Sequence, residues 1–335
     1  MIHTTSPMND LAPHESRTEK VRLDGTREQA YRTSERGLWR SLGASPTERY
    51  VELPRFAVRV RVQEVGEGPA AVYLHGGPSA GTTWAPLAAR LNGIRSIIVD
   101  RPGTGLSEAF PVTAANLDSF ADHFLVDLLD ALGLDRAHVV ASSFGGFLAL
   151  RAAAVAHERI DRMVQMSCPA GASGMTVPPF MRAAAVPLLR RLMTAMPVSE
   201  RSARSMLSGI GHTASVEAGL FTPEFMAWYL SLQQDTATMR NELPMIGSLF
   251  TVRGIVHPAL SLSDELLHSV STPTFFYWGA DDTFGDEDIA EQTVAKLGDA
   301  TLRMVPHAGH LPWLDDPADA ARAVESFLLT QPSRV

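Results

Sequence analysis

The 335-residue chain has one cysteine, Cys168, so it has no internal disulfide framework and no four-cysteine zinc site. It has no long charge-free apolar run, which excludes a bilayer-spanning helix of the ordinary kind. It has no basic run, and its acids outnumber its bases to give a net charge of −8. A broad nucleic-acid-binding surface is therefore not expected. The first twenty residues are polar, hold two prolines and lack the apolar centre of a secretion signal. A cytoplasmic protein with no membrane span is the expectation. What is present is ordinary globular composition, 45% hydrophobic and 20% charged, on a chain long enough to bury a large core.

Residues 1–26 read as a loose N-terminal tail, and 27–42 as a helix stopped by Gly43. Alternating apolar and polar residues over 49–54 and 57–65 predict two strands with one wet face. After the turn at 66–69 the rhythm changes. Short apolar runs at 70–75, 96–100, 138–142 and 163–167 predict buried strands, with helices over 116–132 and 144–157 between them. Strand–helix alternation with continuous apolar strands implies a mostly parallel sheet covered by helices on both faces, an α/β fold. From 172 to 271 the alternation stops, and the segment is helical and rich in Met, Leu and Pro. The rhythm returns with strands at 274–278 and 301–305 and helices at 287–297 and 317–329. The expected organisation is a core of 27–171 and 272–335, with 172–271 as a helical cap over the sheet's C-terminal edge, where open α/β sheets bind ligands.

Val139 to Gly146 runs from a buried strand straight into a helix. A nucleophile on so sharp a turn needs small residues two before and two after it. Centred on Ser143 those positions are Ala141 and Gly145; centred on Ser142 they are Val140 and Phe144, both bulky. Ser143 is the candidate nucleophile, although the pentapeptide alone also fits a serine capping a helix. A serine needs a base. His310 follows the strand 301–305 and precedes the last helix, at the edge where such loops converge. His307 lies nearer the strand and reads as a local packing residue. The His307–His310 spacing lacks a third ligand motif, so no metal is expected. His123, His157 and His212 are expected at the surface, as are His3 and His14. A carboxylate must orient the base. Asp281 and Asp282 follow the strand 274–278, whereas the loop Cys168–Gly171 holds no acid. The order serine, aspartate, histidine follows. His75-Gly76-Gly77-Pro78 ends another strand, and its Gly77 N–H together with that of Phe144 would form an oxyanion hole.

These motifs, with Asp100–Ser107 (DRPGTGLS), Gly279–Asp282 (GADD) and His307–Trp313 (HAGHLPW), resemble the capped serine hydrolases of the α/β-hydrolase superfamily from about 49 to 329. In that family's G-x-x-D pattern the last residue is the triad acid. The resemblance thus selects Asp282 and implies the triad Ser143, Asp282 and His310. HGGP is also similar to proline iminopeptidases, and HG-x-P followed by Trp84 to haloalkane dehalogenases. The latter, like epoxide hydrolases, use Asp where this chain has Ser143. An iminopeptidase would bind its substrate amine with cap acids, for which Glu217, Glu224 and Glu242 are candidates, although solvated helix faces suit them better. The apolar 172–271 segment predicts an apolar pocket with Trp84, Met175, Phe180, Trp228 and Trp313 as substrate contacts. The implied partner is a small to medium apolar ester-type molecule, with carbon–carbon bond hydrolysis or iminopeptidase activity as alternatives. A non-hydrolytic lyase or a ligand-binding protein on the same fold is the alternative from another class. No cofactor motif is present, since Gly103 and Gly105 do not make a dinucleotide fingerprint.

Overall fold

The computed structural model describes residues 25–330; the expected tail lies almost wholly outside the described residues. Eight strands form one sheet: β1 (Thr47–Leu53), β2 (Val58–Val65), β3 (Ala70–Leu74), β4 (Arg95–Val99), β5 (Ala137–Ser142), β6 (Ile160–Met166), β7 (Thr274–Gly279) and β8 (Ala300–Val305). Their order is β1-β2-β4-β3-β5-β6-β7-β8. β1 pairs antiparallel with β2, and β2 with β4; every later pair is parallel. The expected element boundaries move by up to three residues.

Side chains alternate across a strand, so one run feeds two cores. Val72, Leu74, Val139 and Ala141 join a cluster on one face; Ala71, Tyr73, Val140 and Val164 join another on the opposite face. Helices Leu117–Leu132 and Phe144–Val155 cover the first face, and Pro317–Leu328 packs on the second. This is why the central strands read as unbroken apolar runs.

Between β6 and β7 the chain is helical, and its only strand-like feature among the described residues is the bridge Phe250–Val256. The helix Gly25–Ser41 packs on the helix Pro223–Asp235 of this insert, burying Tyr31, Leu38 and Trp39. Glu35 on the same helix reaches the sheet, where Arg61 of β2 donates to it from Nη1 at 2.9 Å and Nη2 at 2.5 Å. Arg61 also meets Asp100 at 3.2 Å and Glu48 at 2.7 Å. The N-terminal helix therefore ties the insert to the core.

Candidate active site

Ser143 sits between β5 and the helix Phe144–Val155, at φ 54° and ψ −119°. A non-glycine residue in that region is strained, and a strained turn lifts its side chain clear of the strand. The surroundings explain the small neighbours. A Cβ on Gly145 would lie 2.1 Å from the carbonyl oxygen of Leu74, and one on Gly76 would lie 2.7 Å from Ser143 Cβ. Ser142 points away and shares a hydrogen bond of 3.3 Å with Ser167.

His310 lies in the loop after β8 and Asp282 in the loop after β7. Nδ1 of His310 is 2.9 Å from each carboxylate oxygen of Asp282. Asp282 also accepts from the Cys168 N–H at 3.0 Å and the Phe284 N–H at 2.9 Å. Backbone donors thus fix the carboxylate, and the Phe284 ring stacks on the imidazole with centroids 3.9 Å apart. His310 Nε2 is buried and has no hydrogen-bond partner among the described residues. Ser143 and His310 line the same cavity. Asp281 is exposed, as is His307, at φ 59°.

Two cavities meet at Ser143. The larger, about 650 Å³ and partly open to solvent, is lined by Ser143 and His310 together with Phe180, Met206, Phe225, Tyr229 and Trp313. The smaller, about 370 Å³, is lined by Ser143 and Phe144 with Met175, Met181, Met245 and Phe250. Gly77 and Phe284 border both. No Lys or Arg is among the residues lining either cavity. Behind Gly77, Arg101 is buried and donates to Glu242 at 2.8 Å and to the carbonyls of His75 and Gly76 at 2.9 and 3.1 Å. Its guanidinium also lies over the Phe144 ring, 4.9 Å from the centroid. Burial and the Arg101 charge hold His75 well below its ordinary value, so it is neutral. Burial, with Asp282 and Asp286 nearby, pushes the Cys168 thiol up.

Four expectations change. Trp84 lines neither cavity: it is fully buried, stacked on Trp313 at 3.9 Å and edge-on to Tyr73. Trp228 is also in the core and donates to the Tyr31 hydroxyl at 3.3 Å. Both rings fill the seams between packed elements, the commoner use of a large apolar side chain. Glu242 is neither solvated nor available to an amine, because it neutralises Arg101. Glu217 and Glu224 are exposed. His212 is wholly buried, not at the surface. It belongs to an irregular turn, 208–212, that packs against the His310 loop: the His310 N–H donates to the Ile210 carbonyl at 2.9 Å. The insert turn around Ser208–His212 is thus part of the site's support, and nothing in its local sequence announces that role.

Among the described residues no group of three or more His, Cys, Asp or Glu could hold a metal, and no helix is long and apolar enough to cross a membrane.

Comparison with known proteins agrees with this architecture. A 2-hydroxy-6-oxononadienedioate/2-hydroxy-6-oxononatrienedioate hydrolase of Burkholderia vietnamiensis (strain G4 / LMG 22486) is 29% identical over 292 residues, covering 85% of this chain and 96% of that protein. A 2-hydroxy-6-oxo-6-phenylhexa-2,4-dienoate hydrolase of Burkholderia cepacia is 27% identical over 278 residues, covering 80% of this chain and 92% of the relative. The crystal structure of carboxylesterase CesB (YbfK) from Bacillus subtilis superposes with a TM-score of 0.69 at 25% identity, covering 90% of this chain and 97% of the other. The α/β hydrolase fold family model matches residues 69–317, and with the sheet order and strand-to-helix turn described above, the chain belongs to that family.

Proposed function

We propose that the protein is a serine hydrolase that cleaves neutral, largely apolar carboxylic esters through an acyl-serine. The observation that carries this reading is the meeting of Ser143 and His310 in one apolar cavity, with Asp282 on the far nitrogen of the imidazole. In this mechanism Ser143 Oγ attacks the ester carbonyl while His310 Nε2 takes its proton. Asp282 keeps the proton of the neutral ring on Nδ1 and stabilises the imidazolium that forms. The N–H groups of Gly77 and Phe144 hold the oxyanion. His310 then protonates the leaving alcohol, and finally activates the water that releases the acid. The helical insert 172–271 acts as the cap, with Phe180 and Met175 contacting substrate from it and Trp313 from the core.

Carbon–carbon bond hydrolysis is the second reading, favoured by the names of the two sequence relatives. Their named substrates carry carboxylates, which are best recognised by cationic or multiple N–H donors. The cavities here have no cationic side chain in their walls, and the Arg101 charge is already matched by Glu242. That contrast favours the ester.

The test is a burst assay with p-nitrophenyl esters from acetate to octanoate, on the wild type and Ser143→Ala. Turnover with a burst that disappears in the variant supports the reading, and the best chain length sizes the pocket. A folded wild type that leaves every ester intact overturns it and moves the search to vinylogous diketones.

A further inference from the structure

The helix Pro187–Ala195 of the insert has no buried residue. Leu188, Leu189 and Leu192 face water, as does Met196 just past its end; Leu188 is 67% exposed and Met196 66%. Positions 188, 192 and 196 are spaced by four and form one stripe. The helix Thr238–Leu249 touches this helix, and the turn that follows it, closed by the Phe250–Val256 bridge, exposes Val252 and Ile255. Arginines join the parts. Arg190 donates to the Ala184 carbonyl at 3.2 Å and lies beside Gly247, while the Arg182 guanidinium lies against Gly254. Six of the ten large apolar side chains exposed among the described residues therefore gather in one region. Ordinary surfaces scatter such residues singly.

The charge of this region is opposite to that of the chain. Residues 172–199 contain Arg182, Arg190 and Arg191 and no acid, and residues 245–260 contain Arg253 and no acid. The chain as a whole carries −8. Arg191, on the leucine helix, and Arg253, in the turn between Val252 and Ile255, are both exposed.

We propose that this face docks on an anionic lipid surface. Leucines and methionine enter the headgroup–acyl boundary, and arginines stay at the phosphates while their stems cover apolar surface. A second copy of the chain fits less well, because a two-fold contact through this patch would bring the same arginines together. The face belongs to the same insert that lines the catalytic cavities. Phe180 and Met181 line them two and one residues before Arg182, and Phe250 lines the smaller one two residues before Val252. A substrate dissolved in lipid would thus be delivered beside its pocket. The docking goes beyond the ester reading, and its readout needs no turnover.

The full chain is mixed with vesicles of phosphatidylcholine alone and of an equimolar phosphatidylcholine–phosphatidylglycerol mixture, and the bound fraction is measured by flotation at low and high salt. Partition onto the anionic vesicles about tenfold above the neutral ones, weakened by salt, is expected. Arg191→Gln with Arg253→Gln should lower it by about tenfold, and Leu188→Glu with Leu192→Glu should abolish it. Circular dichroism and melting of these surface variants establish that they remain folded. Equal binding to both vesicles, no binding to either, or unchanged binding by the leucine variant overturns the proposal. So does a dimer in gel filtration that Leu188→Glu with Leu192→Glu dissociates, which would assign the face to self-association.

Discussion

Asp315 Oδ1 lies 2.8 Å from His212 Nδ1, and the pair grips the main chain on both sides of His310. The other oxygen of Asp315 accepts from the Gly309 N–H at 2.9 Å, and His212 Nε2 accepts from the Leu311 N–H at 3.1 Å. Ser215 also donates to Asp315, at 2.5 Å. The insert thereby fixes the backbone of the residue we assign as the base. Removing the ring in His212→Ala frees the Leu311 N–H and leaves Asp315 less matched. We expect kcat on a p-nitrophenyl ester to fall about ten- to a hundredfold with little change in KM, because a misplacement of about 1 Å is enough for that. His212→Asn, which can still donate to Asp315, should recover part of the loss. A KM change without a kcat change would mean that the pair shapes the pocket instead of the base.

Asp282→Asn should lower kcat by about 10⁴, since the amide no longer selects the Nδ1–H tautomer of His310. The amide would also turn a donor toward a pocket supplied by the Cys168 and Phe284 N–H groups, so a lower melting temperature should accompany the loss. Asp281→Asn is the matched control. Its carboxylate is exposed, and the variant should behave like the wild type in both assays.

Gly145→Ala should cost about 3 kcal/mol or prevent folding, because the new methyl group would sit 2.1 Å from a β3 carbonyl that has nowhere to move. Urea denaturation of Gly145→Ala beside Ala141→Gly separates crowding from composition. The second variant should keep most of its activity.

Arg61 is the counter-ion of a buried carboxylate cluster. Arg61→Met should destabilise the protein by about 3–5 kcal/mol, because Glu35 and Asp100 would keep their burial and lose their cation. The N-terminal helix should loosen first, detectable as faster amide exchange around Tyr31 and Leu38. A variant as stable as the wild type would show that the cluster adds nothing net.

Acid should weaken the fold through His75. Its native value is depressed, so below the ordinary 6.5 the unfolded chain binds a proton that the native chain refuses. Stability from this group is full above that pH and is lost as pH falls toward the native value, by up to about 1.4 kcal/mol per pH unit. Urea midpoints at neutral and mildly acidic pH should diverge less in His75→Asn than in the wild type.

Much of this architecture is legible in the sequence because it depends on local pattern. Runs such as 70–74 and 274–279 are apolar on both faces, and only a doubly covered strand has that need. The crowding around Ser143 is visible in Ala141 and Gly145. What stayed hidden depends on contacts across long stretches of chain. His212 and Asp315 are 103 residues apart, and neither has a neighbour that advertises the pairing. Trp84 and Trp228 illustrate a second limit: an aromatic residue looks the same in sequence whether it fills a seam or lines a cavity. Glu242 illustrates a third, since its partner Arg101 sits 141 positions earlier.

The cavities around Ser143 draw their floor from loops of the sheet and most of their walls from the insert between β6 and β7. The residues we assign to bond breaking, Ser143, Asp282 and His310, therefore come from core loops on both sides of the insert, while most of the residues we assign to substrate contact come from the insert itself. On that assignment selectivity is modular: exchanging the walls should leave Ser143, Asp282 and His310 in place, provided that each new insert brings its own grip on the loop that carries His310.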